Sequence, residues 1–197
     1  MHRTALRLSA AAALALIPAI ASAHPGHEGA AGLAHGFMHP LGGIDHILAM
    51  VTVGLIAARL GGRALWLVPT SFVVTMAVAG LAGMAGIGFA NAEAGIALSL
   101  VVLGAMIALR LTMPVAAAMA LVGFFAIFHG YAHGAEMPET VSGLAYGAGF
   151  LAATALLHGL GIALGLTLGQ AGFGRRTLRL GGTAAMLAGA ALLIGAI

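Results

Sequence analysis

The chain has 197 residues, of which 61% are hydrophobic and only 7% charged, and its mean hydropathy is +1.10. A soluble domain of this size needs far more polar surface, so the composition points to an integral membrane protein. Cysteine is absent, which excludes disulfides, thiolate ligands and cysteine nucleophiles, and the +3 formal charge comes entirely from arginine, with no basic stripe and interleaved aromatics to suggest nucleic acid.

Read in chain order, residues 1–23 have the pattern of a cleavable signal peptide. Arg3 and Arg7 precede a short apolar core, Leu8 to Ile20, and Ala21-Ser22-Ala23 fits a peptidase site. That core is shorter than the roughly 20 residues of a comfortable span; an uncleaved anchor helix is the alternative. Residues 24–40 are expected to form a periplasmic N-terminal tail containing a His-rich capture segment. After cleavage the free amine and imidazole of His24 can chelate a metal, and His27 can add a nitrogen. Pro25 lacks an amide proton, so binding through deprotonated backbone amides is blocked. A flexible, solvated tail is the plainer reading.

Residues 41–197 are expected to form a transmembrane domain of about six spans, making the fold an all-α polytopic bundle. The apolar stretches run from Leu41 to Leu60, Ala64 to Ala85, Ala92 to Leu109, Met113 to Ala132, Val141 to Leu168 and Thr177 to Ala196. The fifth is long enough to be tilted, or interrupted around Gly159 and Gly161. With 31 glycines the helices can approach closely, whereas 6% aromatics is poor for the girdles of an outer-membrane barrel. Arginine recurs at alternate connections: Arg59 and Arg63, then Arg110, then Arg175, Arg176 and Arg179. The positive-inside rule puts those ends in the cytoplasm and the mature N-terminus in the periplasm of a bacterial inner membrane. No internal repeat is evident.

Polar residues are few, and most fall at the opposite span ends. "HGFMHPLGGIDHILAM" contains His35, His39, Asp45 and His46. In an unbroken helix His39 and His46 would sit two turns apart on nearly one face, with Asp45 elsewhere. Pro40 can open a helix, while Gly42 and Gly43 let the backbone bend near a ligand. "FHGYAHGAE" puts His129 and His133 four residues apart on one helical face, with Glu136 about a turn later. Glu93 opens the third span on the same side, and His158 lies deeper in the fifth. A histidine at a span end can instead snorkel or bond a neighbouring helix. Glu139 reads as a solvated loop charge, and Met38 and Met50 as soft ligands or as packing filler. A carboxylate within the membrane, as Asp45 and Glu93 would be, is costly unless partnered.

At this point "HPLGGIDHILAM" and "FHGYAHGAE" resemble the His-x5-Asp-His and Phe-His-Gly-x-Ala-His-Gly-x-Glu signatures of the HupE/UreJ family of nickel and cobalt permeases. The leader and span count fit too, so the resemblance covers essentially the whole chain. It implies a secondary permease that moves Ni²⁺, or Co²⁺, across the cytoplasmic membrane for hydrogenase or urease, with no permanent cofactor. It also implies metallochaperone or metalloenzyme-maturation partners. Carried over residue by residue, the metal-site set is His39, Asp45, His46, His129, His133 and Glu136, with Glu93 a looser match. His24, His27, His35 and His158 are supplementary candidates. Two other classes use the same ligands: an intramembrane zinc-dependent hydrolase with Glu136 or Asp45 as base, and a metal-sensing or chaperone subunit without flux. No nucleotide-binding Gly-x4-Gly-Lys loop is present, and there is no lysine to form one.

Overall fold

The computed structural model describes residues 28–87, 91–137, 142–170 and 172–196, and all regular structure among them is helical. The expected signal peptide lies outside the described residues, as do His24, His27 and Glu139. The helices are α1 (Glu28–Gly42), α2 (Ile44–Leu60), α3 (Ala64–Met84), α4 (Ala92–Ala108), α5 (Val115–Ala135), α6 (Gly143–Leu168) and α7 (Gly172–Leu193).

The largest departure from the sequence reading is at the start. The segment expected as a tail is helical from Glu28, and the axes of Ala31–Gly42 and Ile44–Leu60 meet at 85°. The break has a local cause. Pro40 cannot donate to the Gly36 carbonyl, which loosens the last turn of α1. Gly43 then takes an extended conformation (φ −106°, ψ 122°) and α2 starts afresh. His39 and His46 therefore do not share one helical face; the bend brings them together from two helices.

Three helices are long and apolar enough to cross a membrane unaided: α3, α5 and α6. The bent α1–α2 pair passes the same test only when taken together. Helix α4 has 17 residues, a rise of about 25 Å against a hydrocarbon core of about 30 Å. Helix α7 begins at Gly172, ahead of the expected Thr177, and takes Arg175, Arg176 and Arg179 into its first turns, which dilutes its apolar character. Helix α6 is continuous over 26 residues, with no interruption at Gly159 or Gly161.

Helix α3 packs along α5, α4 along α7, and α6 against both α1 and α2. Glycine sets the approach in each case. A Cβ on Gly130 or Gly134 of α5 would run into the Met76 or Gly80 carbonyl of α3. Gly54 of α2 and Gly161 of α6 meet backbone to backbone, as do Gly36 of α1 and Tyr146 of α6. In hydrocarbon, burying an apolar side chain gains little, so van der Waals packing between close backbones supplies the association. The core holds Met50, Ile56, Phe72, Met76, Leu100, Leu103 and Val122, all essentially inaccessible. Val78 (64% exposed) and Leu156 (62% exposed) face outward, as a lipid-facing surface requires. Met50 is thus packing filler, whereas Met38 is exposed.

Candidate metal site

The first turn of α2 starts the site. Asp45 Oδ1 lies 2.9 Å from His46 Nδ1. The imidazole donates Nδ1–H to the carboxylate, leaving the lone pair on Nε2. Gly43 permits this arrangement: a Cβ there would stand 2.6 Å from Asp45 Oδ1 and 2.8 Å from His46 Nδ1. A side chain at position 43 would push the pair apart.

Helix α5 brings the second group. His129 and His133, one turn apart, are both buried, at 0% and 5% exposure. His133 Nε2 lies 2.5 Å from His46 Nε2. One ring nitrogen from each of His46, His129 and His133 lies within 4.8 Å of the others. His39, His133 and Glu136 form a second group with the same spread. His133 belongs to both, and its Nδ1 stands 4.0 Å from Glu136 Oε2. The rings of His39 and His46 face His133 edge-on, with centroids 4.9 Å and 4.4 Å away. Phe150 of α6 closes on His133 at 4.4 Å.

Helix α4 contributes a residue the sequence reading missed. Ser99, fully buried, donates its hydroxyl proton to the Ile96 carbonyl at 2.6 Å. Its oxygen is then free to accept from His129 Nε2–H, 3.0 Å away. A serine has one proton, so this chain of bonds fixes the tautomer: His129 keeps its lone pair on Nδ1, which has no hydrogen-bond partner among the described residues. Carboxylate–imidazole and hydroxyl–imidazole pairs of this kind orient metal-binding histidines elsewhere. A lone serine in a helix that is apolar beyond Glu93 in its first turn was the available signal.

The geometry fits a small dication with modest adjustment. With metal–nitrogen bonds of about 2.1 Å, ligand nitrogens stand about 3.0 Å apart at a right angle and about 4.2 Å apart in trans. The 2.5 Å pair must therefore open by about half an ångström, while the remaining separations, all within 4.8 Å, already lie near the range a single ion spans. Two cavities of about 500 Å³ reach these residues. One is lined by His35, His39, Asp45, His46 and Glu136, the other by Glu93, Asp45, His46 and Glu136, and His133 lies in both walls. Glu93 is thus at the rim rather than in the cluster, and His35 lies in the outer wall, 6.0 Å from the Tyr146 ring.

His158 stands apart from both groups. It is 1% exposed, neither nitrogen has a hydrogen-bond partner among the described residues, and it packs on Phe72 at 5.2 Å. Phe72 also faces His129, at 5.6 Å. Two imidazoles from different helices thus contact one aromatic ring, His158 lying beyond the cluster on α6.

Two comparisons with known proteins point to one family. The family described as "HupE / UreJ protein" matches residues 12–192. "Protein HupE" of Rhizobium leguminosarum bv. viciae is 49% identical over 185 residues, which is 93% of this chain and 95% of that one. No solved structure matches. The two histidine signatures, the membrane helices and this likeness over nearly the full length agree, and the chain belongs to the HupE/UreJ family.

Proposed function

We propose that the protein is a secondary permease that moves Ni²⁺, or Co²⁺, inward across the bacterial cytoplasmic membrane and supplies a hydrogenase or urease. The observation that carries this reading is the convergence of His46, His129 and His133, from two helices and two distant signatures, within 4.8 Å. Imidazole suits late first-row dications, and carboxylates lower the cost of holding such an ion at low dielectric. The chain crosses six times in this reading, the bent α1–α2 pair counting once. Asp45, Glu93 and Glu136 mark the periplasmic end, Arg59, Arg110 and the α7 arginines the cytoplasmic end.

The ion arrives through the acidic cavities and first meets His39, Glu136 and the Nδ1 face of His133. It then passes to His46, His129 and the Nε2 face of the same ring. A histidine with a nitrogen toward each station lets ligands exchange singly, so the ion is never stripped in one step. His158 is the next, deeper station. Asp45 and Ser99 hold His46 and His129 in the tautomers that offer lone pairs inward.

Uptake into proteoliposomes tests the reading. Wild-type protein should admit Ni²⁺ or Co²⁺ in preference to Zn²⁺ and Cu²⁺, and His129→Ala and Asp45→Ala should abolish the flux. Flux equal in all three proteins defeats the permease reading. Tight binding with no flux supports a sensing or chaperone subunit.

A further inference from the structure

We propose that the arginine-lined pocket at the far end of the bundle binds a phosphate-bearing anion. It is a cavity of about 360 Å³ between the end of α2, the turn after α4 and the start of α7, and Arg59, Arg110, Arg175 and Arg179 are in its wall. A second cavity of about 480 Å³ adjoins it, where Arg176 joins Arg110, Arg175 and Arg179 beside Gly172, the first residue of α7.

Among the described residues, no carboxylate lines either cavity. Among the described residues the ion pairs are His46 with Asp45 and His133 with Glu136, and neither involves an arginine. Asp45 opens α2 and Arg59 ends it; Glu93 opens α4 and Arg110 follows it. Those two acids therefore lie a helix length away, about 25 Å, beyond useful screening range.

The guanidinium groups are held but not neutralised. Arg59 donates to the Arg110 carbonyl, Arg179 Nε to the Ala108 carbonyl at 3.1 Å, and Arg175 to the Gln170 carbonyl at 3.4 Å. Each bond uses one donor of a five-donor fork and leaves the rest open. Arg59 Nε is buried with no partner. Arg110 sits at φ 59°, a left-handed conformation disfavoured for a branched-off side chain, and its carbonyl receives Arg59. Positive-inside topology asks only for basic residues in the loops, and these are free to splay into water. Convergence from three segments on one pocket asks for an anion.

The chemistry of that anion follows from the donors. The chain has arginine and no lysine, and the planar arginine fork matches phosphate oxygens in bidentate fashion. The start of α7 adds amide donors and the positive end of a 22-residue helix. Leu55, Ile107, Leu166 and Leu178 share the wall, so one side accepts an apolar stem. A phospholipid headgroup and free phosphate share the required oxygens. Neutralising the arginines would also remove a barrier to a dication leaving at that end.

The test uses the full chain in nanodiscs and in neutral detergent. Native mass spectrometry compares retained phosphatidylglycerol with phosphatidylcholine, and calorimetry follows inorganic phosphate. The double variant Arg175→Gln/Arg176→Gln leaves Arg59 and Arg179 on their carbonyls. At about fivefold per arginine, it should lose about 25-fold in anion retention. Arg175→Lys/Arg176→Lys should recover part of that loss, and Arg63→Gln, outside the pocket, should change nothing. Circular dichroism checks the fold of each. Arginine-dependent retention of phosphatidylglycerol alone identifies a lipid site, and arginine-dependent phosphate binding a free-anion site. The proposal is overturned if the double glutamine variant matches wild type in both arms, or if Arg63→Gln loses as much as it does.

Discussion

Replacing Ser99 with alanine removes one oxygen atom that is not itself a metal ligand, and the expected consequence is large. In the wild-type protein His129 donates Nε2–H to Ser99 at 3.0 Å, which leaves Nδ1, with no hydrogen-bond partner among the described residues, as the nitrogen with a lone pair for an ion. Without the hydroxyl, binding an ion through Nδ1 leaves a buried N–H unsatisfied, which costs about 1–3 kcal/mol. The ion-free protein can escape that cost through the other tautomer, by turning Nδ1–H toward a His46 or His133 lone pair in the cluster, an acceptor that a bound ion occupies. The penalty therefore falls on the bound state and weakens affinity about 5- to 150-fold. Outer-shell substitutions at other metal sites fall within that range, at about 10–100-fold. Calorimetric titration of Ni²⁺ into detergent-purified protein reads the effect. Ser71→Ala is the control, since it removes a serine whose bonds are to the Val68 and Met119 carbonyls and to no histidine. An affinity for Ser99→Ala within about threefold of wild type would refute the tautomer argument, because no unsatisfied N–H could then accompany binding.

Three further outcomes are expected. Gly43→Ala should force Asp45 and His46 apart, given the 2.6 Å and 2.8 Å approaches to a Cβ there, and lower Ni²⁺ affinity at least about tenfold, with thermal unfolding little changed. Protons compete with metal for imidazole lone pairs, so Ni²⁺ affinity should weaken as the pH is lowered. A Ni²⁺ affinity independent of pH would count against imidazole coordination. His158→Leu should slow Ni²⁺ flux while leaving equilibrium affinity within about threefold, since the side chain lies outside both ligand groups. Parallel loss of binding would place His158 in the first cluster.

Much of the site could be read from the sequence because its ligands come in two short signatures. The i,i+4 spacing of His129 and His133 survives folding, since α5 is regular through both. At His39 and His46 the spacing carried a condition that the structure does not meet. A seven-residue spacing implies one face only in an unbroken helix, and Pro40 with Gly43 turns the chain through 85° between them. Helix α1 was hidden because its run of glycine, alanine and histidine has neither the length nor the apolarity of a span. Ser99 was hidden because a buried serine in a membrane helix commonly bonds its own backbone. Its second bond, to a histidine 30 residues away, appears only once α4 and α5 are side by side. Glu93 was easier to notice than to place. As the acidic residue opening α4 it looked like a ligand, but the helix sets it at the cavity rim. Alternate arginines carry the expected orientation, but their gathering into one pocket depends on the packing of α7 against the turn after α4.

X-ray absorption at the nickel edge, on protein loaded with one Ni²⁺, is the most direct test of whether side chains far apart in sequence share an ion. The account predicts a shell containing three imidazoles at about 2.1 Å and the loss of one in each of His46→Ala, His129→Ala and His133→Ala. A shell of oxygen alone, or an imidazole count unchanged by those three substitutions, would contradict it.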